Sequence, residues 1–177
     1  MKSTLLIIFC LMFGVAFALP TEVVIIRHGE KPKHGDNLNC AGLNRALKLA
    51  SVLPQFGNFK QIYAPRLNAV NNTTASARMF QTATPYMAKY NAKINTMYGK
   101  SDESTVAAAI RKESGDILMV WEHNRIPALA RAFGIVNSPQ SWNGNDFDSV
   151  WIITFPNGIA ILKHRQENIN PSNSCPS

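Results

Sequence analysis

Beyond its opening stretch this 177-residue chain has no apolar run approaching the ~20 residues that a membrane-spanning helix needs. Cysteine is scarce, with three in all, and histidine nearly so, with four. Neither a paired-cysteine motif nor a His-x-x-x-His with an intervening Glu occurs, so no zinc site is legible. No Gly-x-Ser-x-Gly elbow surrounds Ser76 or Thr82, which leaves those hydroxyls to capping or packing rather than nucleophilic attack. The formal net charge is +7, yet no basic run or interleaved aromatic pattern accompanies it. That excess favours small anions or anionic surfaces and gives no support to nucleic-acid binding. No internal repeat is visible.

The chain opens with Lys2, an apolar centre from Leu5 to Val15, and Ala16-Phe17-Ala18. A basic start, a short apolar middle and a small-x-small ending are the layout of a secretory signal peptide. The expectation is a signal peptide over 1–18, cleaved after Ala18, and one domain over 19–177 in a periplasmic or secreted protein; an uncleaved anchor is the alternative. Bulky Phe9 before Cys10 argues against a lipoprotein. Cleavage removes Cys10 and Lys2, leaving Cys40 and Cys175 and lowering the charge by one from +7. Two cysteines in an exported protein suggest a disulfide, the alternative being two free thiols.

The mature chain alternates strand and helix patterns. Val23-Val24-Ile25-Ile26 reads as a strand buried on both faces. A Lys-, Pro- and Gly-containing loop over 31–39 precedes a helix over 41–56, on which Leu43, Ala46, Leu47, Ala50 and Leu53 form the apolar stripe and Gly57 the stop. A short strand over 61–64 ends at Pro65, and a polar loop through Asn71-Asn72-Thr73 leads to a helix carrying Arg78, with threonines as its caps and a kink at Pro85. Further elements are a strand over 93–97, helices over 103–112 and 124–133, and a strand over 117–121. Pro127 suits the first turn of its helix, and Gly134 the position past its end. Strands over 151–155 and 159–162 flank Pro156-Asn157-Gly158 as a hairpin, and the tail after Arg165 is irregular. This order predicts a three-layer α/β/α sandwich with a central, mostly parallel sheet and the hairpin at one edge.

Two of the strands end in chemistry. Arg27-His28-Gly29-Glu30 directly follows the first apolar run, and Glu122-His123-Asn124 follows Ile117-Leu118-Met119-Val120-Trp121. Ligands of open α/β sheets bind beyond the carboxyl ends of the strands, so both histidines belong on that rim. Single histidines there are usually just hydrogen-bonded, but two in matching positions invite a common role.

From about Val23 to Leu162 the chain resembles the histidine phosphatase superfamily, in the branch that holds cofactor-dependent phosphoglycerate mutases and many small phosphatases. Arg27-His28-Gly29 resembles its Arg-His-Gly, Gly42-Leu43-Asn44-Arg45-Ala46 its Gly-x-x-Arg-Ala helix start, and Ser76 to Ala83 its Ser-x-Arg-x-x-Gln-Thr-Ala segment; His123 takes the place of its second histidine. The resemblance implies a phosphoglycerate mutase-like fold, no metal or other cofactor, and a phosphate pocket made by Arg27, His28, Arg78 and His123. Arginine's planar fork suits phosphate oxygens, and a neutral imidazole at His28 would attack phosphorus to give a phosphohistidine that water then hydrolyses. A backbone carbonyl such as that of Gly29 would set the tautomer. The general acid is ambiguous. Some relatives place an Asp directly after the second histidine, where this chain has Asn124. Glu103 is the first choice and Asp102 the next, although both suit a helix start; Glu122 and Glu30 adjoin the pocket but equally fit as orienting groups.

The expected function is an exported, metal-independent phosphatase acting on small anionic phosphomonoesters, or on related phosphoramidates or pyrophosphates. A catalytically idle anion-binding module is the alternative, with a phosphoglycerate mutase-type transferase third. Loops over 31–39, 65–74 and 137–148 carry specificity in no readable code, and oligomeric state is not legible.

Overall fold

The computed structural model describes residues 19–70 and 73–176. The expected signal peptide over 1–18, with Cys10, and Asn71-Asn72 of the expected polar loop lie outside the described residues. In chain order the elements are β1 (Glu22–Arg27), α1 (Cys40–Val52), β2 (Gln61–Tyr63), β3 (Asn68–Val70), β4 (Thr73–Ala75), α2 (Ala77–Tyr90), β5 (Lys93–Asn95), α3 (Glu103–Ile110), β6 (Asp116–Trp121), α4 (Ile126–Ala132), β7 (Ser149–Thr154) and β8 (Ile161–Gln166). Six strands form one sheet in the order β5-β2-β6-β1-β7-β8. The pairings among β5, β2, β6 and β1 are parallel, whereas β7 runs antiparallel to both β1 and β8.

Alternation along the central strands builds the two outer layers. Val23 and Ile25 of β1, with Ile117, Met119 and Trp121 of β6, face Val106 and Ile110 of α3 and Ile126 and Leu129 of α4. Val24, Ile26, Leu118 and Val120 point the other way, onto Leu49 of α1 and Met79, Ala83 and Tyr86 of α2. Strands apolar on both faces are therefore sandwiched, as the continuous runs predict. The fold is the expected α/β/α sandwich, with the terminal hairpin at one edge.

Several local expectations need correction. Leu43 and Leu47, read as core, are 40% and 47% exposed, while the buried face of α1 carries Ala41, Gly42, Arg45, Ala46, Leu49 and Ala50. The helix is rotated because Arg45 turns inward to meet carboxylates that come from distant parts of the chain. α1 also ends at Val52, and Leu53–Gln55 tighten into a 3₁₀ turn containing Pro54. The segment beyond Pro65 is a two-stranded ribbon, β3 with β4, rather than plain loop. Ser76, not a threonine, occupies the N-cap position of α2, in a left-handed conformation with φ 68° and without a side-chain capping bond, and the helix continues through Pro85. β5 stops at Asn95, α4 begins two residues later than expected, and β8 extends to Gln166.

Where α1 begins, backbone meets backbone. Asn39 caps the helix by accepting from the Gly42 amide at 2.8 Å. A Cβ on Gly42 would lie 2.2 Å from the Glu30 carbonyl oxygen, and one on Gly29 would lie 2.9 Å from the Gly42 oxygen. Gly42→Ala should thus force β1's exit turn away from α1 and destabilise the protein by about 2–3 kcal/mol in urea denaturation. An unchanged midpoint would refute the packing.

Cys40, the first residue of α1, is disulfide-bonded to Cys175 across 135 residues of sequence. In the chain-entropy picture so long a loop stabilises the fold by up to ~5 kcal/mol. Among the described residues no helix is long and apolar enough to cross a membrane.

Candidate active site

β1 and β6 are in parallel register with Arg27 opposite Trp121, and the His28 amide donates to the Trp121 carbonyl at 3.3 Å. The residues leaving the two strands, His28-Gly29-Glu30 and Glu122-His123, therefore emerge side by side at the carboxyl edge. α2 supplies the third wall. The Gly29 amide donates to the Thr82 hydroxyl at 2.9 Å, which in turn donates to the Arg78 carbonyl at 2.7 Å. Thr82 thereby ties the turn after His28 to the helix that carries Arg78.

His28 is 1% exposed, and its Nδ1 lies 2.7 Å from the Gly29 carbonyl oxygen. A carbonyl only accepts, so Nδ1 carries the proton and Nε2 keeps its lone pair. Burial holds the imidazole pKa down to about 3; the Gly29 bond opposes this, and positive charge at Arg27, Arg78 and His123 reinforces it. The ring is neutral at physiological pH.

Arg27 is 2% exposed, and its Nη1 donates to the carbonyls of Gly144 at 2.7 Å and Asp146 at 3.0 Å. Its guanidinium lies 3.7 Å above the Phe147 ring. The 143–148 loop holds this arginine by carbonyl dipoles and an aromatic face, and the Asp146 carboxylate is spent on the Ser149 hydroxyl and on the Asp148 and Ser149 amides. Burial lowers the Arg27 pKa to about 10, which leaves it a cation. Arg78 donates through Nη1 to the Gly35 carbonyl at 2.9 Å and so anchors the 31–39 loop. One turn of helix further on, Gln81 accepts from the Leu38 amide and donates to Asn37.

Among the described residues neither Arg27 nor Arg78 is in an ion pair, whereas Arg45 pairs with Glu30, Asp148 and Glu167. Arg27 Nε, Arg78 Nε and His123 Nδ1 are buried without a protein partner. Burial and the Arg27 charge push the His123 imidazole below its usual pKa, against the pull of Glu122. Two guanidiniums without an ion-pair partner among the described residues, beside buried nitrogens without a protein partner, suit an anion.

The carboxylates are placed unequally. Glu103 begins α3, with Oε1 3.0 Å from Arg125 Nε but off the line of the N–H bond, so the two form an ion pair rather than a hydrogen bond. Asp102 accepts from the Gly99 amide at 2.8 Å. Glu122 lies 3.3 Å from Lys100 Nζ, and its charge acts on both Arg27 and His123. Glu30 is engaged by Arg45 through both carboxylate oxygens. Sequence reading missed Gly144, Asp146 and Phe147, whose loop carries no motif and meets Arg27 only through the fold. Their one available signal was the Trp142 that pins the loop, its Nε1 donating to the Asp146 carbonyl at 2.9 Å. An apolar cleft of about 520 Å³ lies beside the disulfide, and its lining includes none of Arg27, His28, Arg78 and His123. Among the described residues no group of three or more His, Cys, Asp or Glu side chains could hold a metal ion.

No protein-family model matches the sequence, and no curated protein matches it. Solved structures do match. A candidate phosphohistidine phosphatase, SixA, from Agrobacterium tumefaciens is similar over 82% of this chain and 98% of its own, at 16% identity and a TM-score of 0.55. A phosphoserine phosphatase variant from Entamoeba histolytica, in complex with phosphoserine, matches over 83% of this chain and 98% of its own at 12% identity, with a TM-score of 0.57. A phosphoglycerate mutase from Bacillus anthracis matches over 83% and 93% at 14% identity, with a TM-score of 0.53. The chain therefore has the phosphoglycerate mutase-like fold shared by the phosphatases and mutases of the histidine phosphatase superfamily.

Proposed function

We propose that this protein is a histidine phosphatase, exported and independent of metal, that hydrolyses small phosphomonoesters through a phosphohistidine at His28. One observation carries the reading: a buried imidazole, kept neutral with its Nδ1 committed to Gly29, stands among two arginines that form no ion pair among the described residues. Arg27 and Arg78 bind the phosphoryl oxygens and offset their charge, and His123 donates to another oxygen. His28 Nε2 attacks phosphorus, the bond from phosphorus to the leaving oxygen breaks, and that oxygen takes a proton from a carboxylic acid. Water then attacks the phosphohistidine, giving its proton to the same carboxylate and releasing phosphate and free imidazole. The Cys40–Cys175 bridge supports an oxidising destination.

We take Glu122 as the acid: it directly precedes His123 and its charge acts on Arg27 and His123, and its ion-pair partner Lys100 is exposed, whereas Glu103 is paired with the less exposed Arg125. The test is turnover of p-nitrophenyl phosphate and of an alkyl phosphate without added metal. An acid matters for an alkoxide leaving group and little for nitrophenolate. Glu122→Gln should lose about 10²-fold on the alkyl ester and much less on the aryl one. Glu103→Gln showing that selective loss instead would return the role to Glu103. Phosphate binding with no release of nitrophenol would leave an anion-binding module.

The pH profile supplies a second check. kcat/KM reports groups of the free enzyme, and His28 is active as its neutral form. With its pKa lowered from 6.5 to about 3, protonation of His28 should remove activity only near pH 3. Once the substrate's own ionisation is allowed for, an acid limb centred near pH 6.5 would contradict a buried neutral nucleophile.

A further inference from the structure

We propose that Arg45 is a positioning residue for catalysis, one guanidinium that fastens the turn bearing His28 to the loop that grips Arg27. The inference rests on the phosphatase reading. On one side Arg45 Nε and Nη2 donate to Glu30 at 2.9–3.0 Å, and Glu30 directly follows the Gly29 whose carbonyl holds His28 Nδ1. On the other side Arg45 Nη1 lies 3.5 Å from Asp148 and 2.5 Å from Glu167. Asp148 directly follows Phe147, on whose ring Arg27 stacks, and two residues before it the Asp146 carbonyl accepts from Arg27.

The C-terminal strap closes the circuit. The Glu167 amide donates to the Asp148 carbonyl at 2.8 Å and the Ile169 amide to the Asp148 carboxylate at 3.0 Å. The Ile169 carbonyl returns to Arg45 Nη2 at 3.2 Å, and beyond it the strap runs along α1, bonding Lys48 and Asn44, to the Cys40–Cys175 bridge. Arg45 is 4% exposed and Glu167 2%, so the bond between them is sheltered from water, while Glu30 and Asp148 are partly exposed. Burial raises the Glu167 carboxyl, and the Arg45 charge and hydrogen bond oppose that rise. The guanidinium fork fits the task, since it spans two carboxylates at fixed angles where an ammonium would meet them as a point. His28 and Arg27 are neighbours in sequence, but their supports, Gly29 and the 143–148 loop, are over a hundred residues apart, and Arg45 reaches a carboxylate beside each of them.

The test is a double-mutant cycle on kcat, in wild type and in Arg45→Lys. Glu30→Gln and Asp148→Asn each leave the pocket residues untouched and should each lower kcat about five- to tenfold with little change in KM. Joined through Arg45, the pair should lose much less than the product of the single effects. In Arg45→Lys, kcat should fall at least about twentyfold well below the melting temperature, and the coupling between the two sites should vanish. Should Arg45→Lys fail to fold, the cycle in the wild-type background decides alone. Strict additivity there, or an Arg45→Lys variant with wild-type kcat, would overturn the proposal. If the wild-type protein turns over no phosphoester, the phosphatase reading fails by itself, and the same cycle is read from the affinity for inorganic phosphate by calorimetry. Coupling in that readout sustains the positioning role, and its absence removes it.

Discussion

His28→Ala should abolish turnover and, with it, an acid-labile phosphoenzyme that a rapid acid quench traps from the wild-type protein during catalysis. The expected loss exceeds about a thousandfold, or roughly 4 kcal/mol in the barrier. A neighbour cannot readily take over. His123 lies at the end of the adjacent strand, and its Nδ1 is buried without a partner to set its tautomer. The fold should survive, because His28 contributes a side-chain bond to its own neighbour, Gly29, and its backbone bond to Trp121 persists in alanine. Equal labelling of variant and wild type would disprove the assignment.

Arg27→Lys should cost about 10²-fold in kcat/KM even though it keeps the charge. A lysine ammonium cannot bond the Gly144 and Asp146 carbonyls, lie flat on Phe147 and still present two parallel donors to phosphate. Losing one charge-assisted bond is worth about 1.5–3 kcal/mol, roughly ten- to a hundredfold, and release of the 143–148 loop adds to it. Both kcat and KM should suffer, since phosphate is bound in the ground state and in transfer. Arg78→Lys should be milder, because Arg78 is less buried and contacts a single carbonyl, that of Gly35. Equal losses for the two would mean that the Phe147 loop adds nothing to Arg27.

The central strands and the two histidine turns were legible before any coordinates because their signals are local. Val23 to Ile26 and Ile117 to Trp121 are apolar on both faces, and a strand that buries both faces has to lie inside an α/β sheet. Arg27-His28 and Glu122-His123 then sit at the rim through chain continuity alone. The Gly29 carbonyl as tautomer-setting partner was accessible for the same reason, being one residue away. The two cysteines raised the question of a bridge, and only the path of the tail along α1 answered it.

What the chain order could not express was decided by long-range pairing. A heptad-like count on α1 allowed Leu43 and Leu47 to face inward, but periodicity is blind to the carboxylates of Glu30 and Glu167 that draw Arg45 inward and leave those leucines in water. The same blindness hid the Gly144, Asp146 and Phe147 cradle of Arg27, more than a hundred residues away, and the ion pair that holds Glu103 to Arg125. Hydrophobic patterning and strand-end motifs follow from near-neighbour geometry and so can be read along the chain. Counter-charge does not, because an arginine becomes a phosphate ligand or a structural tie according to which distant carboxylates the tertiary fold brings to it.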